Sequence, residues 1–319
     1  MANKHNAGDL AQMQSLPLKQ KIRMTARRVR DWYDYWDGQI YLSFSGGKDS
    51  TVLLHIIRNH CPGVYNVPAV FVNTGLEYPE IQKFAKEYAD VVLRPEMRFD
   101  QVIKEYGYPV VSKSIAKKAS IVQRNGTGCK TYQFFEGTAR MKNGELSRYN
   151  CPKWKILTTA PFKVSNKCCD VMKKDPVKKY GDQTGRKPII ATLAEESQDR
   201  KNAWFRTGCN TFSGDYIASR PMSFWTEQDV LQYIQKYKIE IPSVYGEIMV
   251  KETGEHFTSG CDRTGCMFCM FGCTQEGTPN RFQRMKETHP RQYEYCMKSV
   301  EDGGLGLAEV LDYIGVDYK

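Results

Sequence analysis

The residue types most suggestive of chemistry lie in one short stretch, Ser45-Gly46-Gly47-Lys48-Asp49-Ser50. Glycines let a backbone close around a ligand, and the first N–H groups of a following helix favour anionic oxygens. Lys48 adds a positive charge, and the hydroxyls of Ser45 and Ser50 can donate to the same oxygens. The spacing is not that of a G-x-x-x-x-G-K-[ST] loop. We interpret the stretch as a phosphate-binding loop, with a tight turn and a solvated lysine as the alternative.

Cysteines are the second chemical feature of the chain, which has 11 of them. Cys266 and Cys269 form a C-x-x-C pair flanked by Cys261 and Cys273, and the adjacent pair Cys168-Cys169 precedes them by about a hundred residues. Sites built from thiolates alone suit zinc or an iron–sulfur cluster. Adjacent cysteines rarely both reach one tetrahedral zinc, but they can bind different irons of a cluster. The local set of Cys261, Cys266, Cys269 and Cys273, as a zinc or cluster site, and buried structural thiols remain alternatives.

Alternating strands and helices position the phosphate loop. Apolar, β-prone residues at 39–44, 67–75 and 90–94 are separated by helical patterns, and a further apolar run follows at 188–194. Such alternation predicts an α/β fold with a doubly wound parallel sheet. Glu196, Ser197 and Arg200 follow the last strand, at the edge where such sheets bind ligands. A helix N-terminus with favourable acidic residues is the alternative interpretation of that sequence.

The positive charge is concentrated in one part of the chain. The net charge is +10 over 319 residues, but residues 111–190 alone hold 18 basic and 5 acidic side chains. Aromatic residues lie among the basic ones, so this segment suits a nucleic acid, with phosphates held by cations and bases stacked on rings. A basic insert with its own small core, or a docking surface for a protein, is the alternative.

These patterns predict four regions in the chain. They are an N-terminal helical segment (1–36), a nucleotide-binding core (37–110 and 188–250), a basic insert or cap (111–187) and a Cys-rich C-terminal region (251–319). The chain has no long apolar run, and its N-terminus lacks the pattern of a secretory signal. We therefore expect a cytoplasmic protein with no membrane partner.

Ser45 to Ser50 resemble the SGGKDS signature of the PP-loop ATP pyrophosphatases, which cleave ATP between the α and β phosphates. Residues 71–80 and 220–230 are similar to motifs of the phosphoadenylyl sulfate (PAPS) reductase branch. The resemblance implies an adenine nucleotide alpha hydrolase-like fold, with ATP and Mg²⁺ bound at the loop and Lys48 and Asp49 as catalytic residues. Asp49 as a mere helix cap is the alternative. The implied nucleotide-binding residues are Ser43, Ser45, Gly46, Gly47, Lys48, Asp49, Ser50, Thr74, Gly75, Glu196, Ser197 and Arg200.

The double cysteine and the distant C-x-x-C resemble the pattern of iron–sulfur-containing adenylyl sulfate (APS) reductases. That resemblance implies one [4Fe-4S] cluster held by Cys168, Cys169, Cys266 and Cys269, with zinc as the alternative metal. Cys273 is left over as a candidate catalytic thiol. Two departures from the reductases stand out: no cysteine follows Cys296, and the phosphate loop keeps Lys48.

The complete loop favours an enzyme that uses ATP. The sequence therefore predicts a sulfur transferase that forms AMP and pyrophosphate and thiolates an acceptor. The expected partners are a nucleic acid or other anionic acceptor, a sulfur donor protein and, as a homodimer, a second copy of the chain. The alternatives are a reductase of small sulfonucleotides and a non-catalytic nucleotide-binding subunit of a modification or defence complex.

Overall fold

The computed structural model describes residues 3–214 and 216–319, which form two compact units. The first unit consists of residues up to 73, 77–94 and 176–264, and the second consists of residues 74–76, 95–175 and 265–319. The boundaries predicted for the four regions remain predictions.

The helices and strands are numbered in chain order. The helices are α1 (Ala7–Gln14), α2 (Leu18–Tyr35), α3 (Lys48–His60), α4 (Pro79–Tyr88), α5 (Phe99–Tyr106), α6 (Lys113–Asn125), α7 (Gln133–Glu136), α8 (Asp175–Thr184), α9 (Gln198–Thr207), α10 (Glu227–Tyr237), α11 (Arg281–Thr288), α12 (Pro290–Met297) and α13 (Leu307–Tyr313). The strands are β1 (Ile40–Phe44), β2 (Ala69–Val72), β3 (Val91–Leu93), β4 (Val110–Val111), β5 (Lys187–Ile190), β6 (Asn210–Thr211), β7 (Ala218–Ser219), β8 (Ile248–Val250), β9 (His256–Thr258) and β10 (Met270–Phe271).

The first unit is built on a six-stranded sheet with the order β3-β2-β1-β5-β7-β6. All neighbours run parallel except β6 and β7, which pair antiparallel at one edge. The chain moves outward from β1 to β3 and then returns to place β5 on the other side of β1. This reversal makes the carboxyl ends of β1 and β5 the switch point of a doubly wound sheet. The predicted fold class is therefore confirmed.

Periodic apolar residues explain how helices cover this sheet. In α2, Ile22, Val29 and Trp32 are buried on one stripe, as the 3.6-residue period predicts. In α10, Thr226 caps the helix and Asp229 completes a capping box. The core beneath them contains fully buried strand residues such as Ile40 and Leu42.

The second unit holds most of the basic segment and the C-terminal helices α11 to α13. Strand β4 pairs in parallel with β10, through Val110 with Met270 and Val111 with Phe271. Helix α6 begins at the Ser112 cap and buries only small side chains, Ala116, Ala119 and Val122. Of the helices in the described part of the chain, none combines the length and the apolar character that crossing a membrane requires.

Candidate functional site

The loop between β1 and α3 is shaped by its glycines and serines. Gly46 has a φ of +72°, and a Cβ placed on it would lie 2.8 Å from the Cβ of Ala85, so only glycine fits. Ser45 Oγ lies 3.0 Å from Ser50 Oγ, and the N–H of Gly47 donates to Ser45 Oγ over 3.3 Å. Gly47, at the N-cap position of α3, has no side chain with which to cap the first turn. The loop therefore presents a helix N-terminus to the switch point of the sheet, as a phosphate-binding loop requires.

Lys48 is held at the start of α3 by residues distant in the sequence. Its Nζ donates to the carbonyl oxygen of Asp262 over 2.7 Å and lies 3.1 Å from Glu227 Oε1. The side chain of Lys48 is only 6% exposed, whereas that of Glu227 is 44% exposed. The lysine charge is thus positioned and neutralised by a carboxylate that faces solvent.

Tyr245 and Thr264 are part of this site, although no sequence motif pointed to them. The Tyr245 hydroxyl accepts from the backbone N–H of Lys48 over 3.2 Å and lies 2.6 Å from Thr264 Oγ1. Burial raises the pKa of Tyr245, so its hydroxyl stays protonated at neutral pH. Tyr245 therefore helps to hold the backbone of the phosphate loop in place at Lys48.

Asp49 lies among positive charges but is left without a hydrogen-bond partner at one oxygen. Its Oδ1 is buried and accepts from no group in the described residues. Burial raises the pKa of Asp49, against the opposing effect of Lys48, Arg263 and Arg200. An orphaned carboxylate oxygen beside a phosphate loop fits the predicted Mg²⁺, which prefers such ligands.

Glu196 organises two arginines near the same loop. Its carboxylate forms ion pairs with Arg200 and Arg263 and also accepts the N–H of Leu193 over 3.0 Å. Ser197 caps α9 by accepting the N–H of Arg200. The structure thus brings Glu196, Ser197 and Arg200 to the switch point, together with Arg263.

Three other residues predicted to bind nucleotide lie outside the phosphate loop and outside the segment from Glu196 to Arg200. Ser43 lies within β1, half-buried between Val70 of β2 and Ile190 of β5. Thr74 and Gly75 belong to the second unit, where the buried Thr74 Oγ1 accepts the N–H of Leu76 over 3.1 Å. Their part in nucleotide binding remains a prediction.

The second unit contains a cavity lined by the four cysteines predicted as metal ligands. The sulfurs of Cys168 and Cys169 are 4.0 Å apart. The N–H of Cys269 donates to the carbonyl of Cys266, which closes the C-x-x-C turn. The residues lining the cavity are Leu76, Phe99, Pro109, Cys168, Cys169, Met172, Lys173, Cys266 and Cys269.

The electrostatic environment shifts the pKa values of the adjacent thiols Cys168 and Cys169 in opposite directions. The S–H of Cys168, followed by the charges of Lys113, Lys173 and Lys174, lowers the pKa of Cys169 to about 6. The same hydrogen bond and burial raise the pKa of Cys168. These effects favour the thiolate of Cys169, which is the form that binds metals.

The cavity fits the chemistry of a thiolate-bound centre, although its volume is only about 20 Å³. That volume is about that of one water. In the part of the chain that the structure describes, no three His, Cys, Asp or Glu side chains are arranged to hold a single metal ion. The assignment of a cluster therefore rests only on the presence of four cysteine thiols in one cavity.

Cys273 and Cys261 do not line the cavity. Cys261 lies in the first unit. Cys273 is buried, its Sγ donates to the carbonyl of Met270 over 2.9 Å, and burial raises its pKa to about 12. It is consequently a protonated thiol at neutral pH, and its predicted catalytic role gains no support from its surroundings.

Relatives of this chain are named for sulfur metabolism. Sulfate adenylyltransferase subunit 2 of Shewanella loihica is 25% identical over 256 residues, which cover 73% of this chain and 68% of the relative. Among solved structures, the PAPS reductase of Candida auris matches 76% of this chain and 92% of its own, at 10% identity and a TM-score of 0.36. The U34-tRNA thiolase NcsA of Methanococcus maripaludis, solved with its [4Fe-4S] cluster, matches 70% and 66%, at 14% identity and a TM-score of 0.35. Structural scores this low imply nothing about function.

The family is settled by a match that spans both units. The family model described as the phosphoadenosine phosphosulfate reductase domain matches residues 39–118 and 125–271. These ranges cover well over half of the chain and include the phosphate loop, the switch-point residues and all four cavity cysteines. The chain therefore belongs to the phosphoadenosine phosphosulfate reductase domain family.

Proposed function

We propose that the chain is an ATP-dependent sulfur transferase that forms AMP and pyrophosphate. An acceptor oxygen attacks the α phosphorus of ATP, the bond to the bridging oxygen breaks, and pyrophosphate leaves. Sulfur at the oxidation level of sulfide then attacks the adenylated centre, and AMP leaves with the acceptor oxygen. The observation that carries this proposal is the complete phosphate loop, with Lys48 buried and held by Glu227 and Asp262.

Each charged residue of the first unit has a role in this proposal. Lys48 binds the oxygens of the pyrophosphate, while Arg200 and Arg263 neutralise charge that develops as the α–β bond breaks. Glu196 positions both arginines through its ion pairs. The orphaned oxygen of Asp49 would hold Mg²⁺, which would neutralise charge at the phosphates when bound.

The cysteines of the second unit would hold a [4Fe-4S] cluster, as Cys168, Cys169, Cys266 and Cys269 share one cavity. When bound, such a cluster supplies iron that can bind and activate sulfide. The hydrogen bond from Cys168 and the charges of Lys113, Lys173 and Lys174 favour the thiolate form of Cys169 that binding needs. The proposed sulfur source is a donor protein or hydrosulfide from outside the chain.

Pyrophosphate release tests the ATP chemistry. In Lys48→Ala we expect the rate to fall roughly 100-fold or more, since removal of one charge-stabilising donor typically costs that much. Lys19→Ala, an exposed lysine in the same unit, serves as the control and should match the wild type. An undiminished rate in Lys48→Ala would show that the loop has been assigned wrongly.

Iron content tests the cluster separately. Protein purified without oxygen should be brown and contain about four irons per chain, and Cys169→Ser should lose most of them. Cys129→Ser, outside the cavity, should keep them. Stoichiometric zinc without iron would overturn the cluster.

A second candidate is adenylyl transfer to a small oxyanion, without thiolation. It is favoured by the relatives named sulfate adenylyltransferase subunit 2, which also suggest that a partner subunit takes part. Under this alternative, pyrophosphate release should rise when sulfate is added and should be unchanged in Cys169→Ser. Under the proposed function, sulfate should have no effect.

A further inference from the structure

A second cavity in the second unit has a strongly cationic lining. It has a volume of about 480 Å³ and lies where the end of α5, the outer face of α6 and residues 163–167 meet. The lining includes one carboxylate, Glu105, and four cations: Lys117, Arg124, Lys163 and Lys167. We call this cavity the basic cleft. Its excess of three positive charges indicates an anionic ligand.

The four cations keep their charge available to a ligand. All four are exposed. Lys163 Nζ donates to the backbone carbonyl of Glu105 over 3.2 Å, and Arg124 Nε donates to that of Ser120 over 3.3 Å. Within residues 3–214 and 216–319, the structure gives none of the four an ion pair with a carboxylate. The cleft is therefore not neutralised by its own side chains.

The walls of the basic cleft are tied together by one side chain. The amide of Gln123 donates to the carbonyls of Leu157 and Phe162, over 2.9 and 3.0 Å, and accepts the N–H of Val164 over 2.9 Å. Helix α6 and residues 162–164 are thus bound to each other independently of any ligand. On α6, Lys117 and Arg124 are seven residues apart and lie on one face. The backbone segments that carry Lys117, Arg124 and Lys163 are therefore held together before a ligand binds.

The basic cleft and the cysteine cavity are lined by residues that are consecutive in the sequence. Lys167, which lines the cleft, is directly followed by Cys168, which lines the cavity. An exposed ring, Tyr106, also lines the cleft and is 37% exposed. A ligand with repeated phosphates and flat rings would use both features, since bases stack on such rings.

We propose that the basic cleft binds the phosphodiester backbone of a single-stranded nucleic acid, which is the acceptor in the proposed function. This inference rests on that function and gives its acceptor a chemical class. A single strand fits because the cleft is concave and has the volume of a small-ligand site, whereas duplexes are read by elements that protrude into a groove. The strand lies along α6, with one base against Tyr106 and its path leading toward Cys168.

The binding of a fluorescein-labelled 20-nucleotide single strand, DNA or RNA, tests this site without ATP. The cleft variant carries Lys117→Gln, Arg124→Gln, Lys163→Gln and Lys167→Gln. The control variant removes the same charge from exposed positions of the same unit outside the cleft, through Lys130→Gln, Lys142→Gln, Lys286→Gln and Arg291→Gln. Circular dichroism and thermal unfolding check that both variants fold.

We expect the cleft variant to bind at least tenfold more weakly and the control variant to bind within about twofold of the wild type. The slope of log Kd against log salt should decrease by about 0.7 for each phosphate that the variant no longer neutralises. Tyr106→Leu, which keeps the charge, should weaken binding several-fold, because it removes only the stacking ring.

Three results would overturn the proposal. They are equal weakening in the cleft and control variants, tighter binding of a duplex than of either single strand, and full competition by inorganic phosphate or AMP at concentrations near the Kd of the strand. The proposed function is tested by different results from those that test the basic cleft. Protein that binds the strand but releases no pyrophosphate from ATP contradicts the enzyme, while protein that releases pyrophosphate but binds no strand contradicts the cleft.

Discussion

The ammonium group of Lys48 lies 3.1 Å from the carboxylate of Glu227, although the two residues are 179 positions apart. Lys48 begins α3 and Glu227 begins α10, so the pair joins two helix N-termini of the first unit. A phosphate group that binds Lys48 has to compete with Glu227 for the same charge. The pair therefore stabilises the ATP-free loop at the expense of ATP binding.

Replacing Glu227 should strengthen ATP binding. In Glu227→Gln we expect the KM for ATP to fall up to about fivefold with kcat unchanged, since a half-exposed ion pair is worth up to about 1 kcal/mol. Steady-state release of pyrophosphate measures both constants. Glu252→Gln, another exposed carboxylate of this unit, should leave KM unchanged. A raised KM in Glu227→Gln would instead indicate that the carboxylate helps to bind ATP.

Glycine at position 46 should be required both for stability and for the loop. Gly46→Ala combines a left-handed φ with a contact of 2.8 Å to Ala85, so we expect a decrease of about 2–4 kcal/mol in the free energy of unfolding. Gly185 has the same φ of +72° but open space around its Cβ position. Gly185→Ala should therefore cost only the backbone part, about 1–2 kcal/mol. Urea unfolding compares the two, and equal decreases would rule out the steric contribution.

A buried ion pair should make α2 and α10 interdependent. Lys21 Nζ lies 2.5 Å from Asp229 Oδ2, with Lys21 1% and Asp229 8% exposed. We expect Lys21→Met to lower the free energy of unfolding by about 3–5 kcal/mol, because it leaves the carboxylate buried without its cation. Lys21→Met combined with Asp229→Asn should recover part of that decrease. Additive effects in the double variant would contradict the coupling.

Two histidines of the first unit should make its stability depend on pH. Burial lowers the pKa of both His55 and His60, and the buried Nε2 of His60 has no acceptor among the described residues. The unfolded chain then binds more protons than the folded chain just below the ordinary histidine pKa of about 6.5. We expect stability to be complete above that pH and to fall as the pH decreases toward the folded pKa values. The variant with His55→Gln and His60→Gln should show a shallower fall in urea unfolding between pH 7.5 and 5.5, and an unchanged slope would contradict the assignment.

The local parts of the site could be predicted because their signals are contiguous. Ser45 to Ser50 carry the loop in six consecutive residues, and Thr226 with Asp229 carry a capping box in four. The sheet followed from strand and helix alternation for the same reason. These features depend on backbone propensity and on hydrogen bonds between residues close in sequence, so the types of neighbouring residues are enough to predict them.

The remaining parts depend on long-range contacts without a local signal. Tyr245 reaches Lys48 across 197 positions, and neither neighbouring sequence distinguishes it from an ordinary core tyrosine. Helix α6 has no clear signal in the sequence either, since its buried stripe is made of Ala116, Ala119 and Val122, which give weak periodicity. The basic cleft formed by α6 could not be foreseen without that helix.

The pairing of β4 with β10 bears on how the protein is synthesised. Val110 and Met270 are 160 positions apart, and β10 follows directly on Cys269. At 5–20 residues per second, a ribosome needs on the order of 10 s to make that intervening chain. During this time the Cys168-Cys169 pair has emerged while its C-x-x-C counterpart does not yet exist. The four-cysteine cavity can therefore be completed only late in synthesis, and a metal centre that uses all four cysteines can be loaded only after Cys269 has been made.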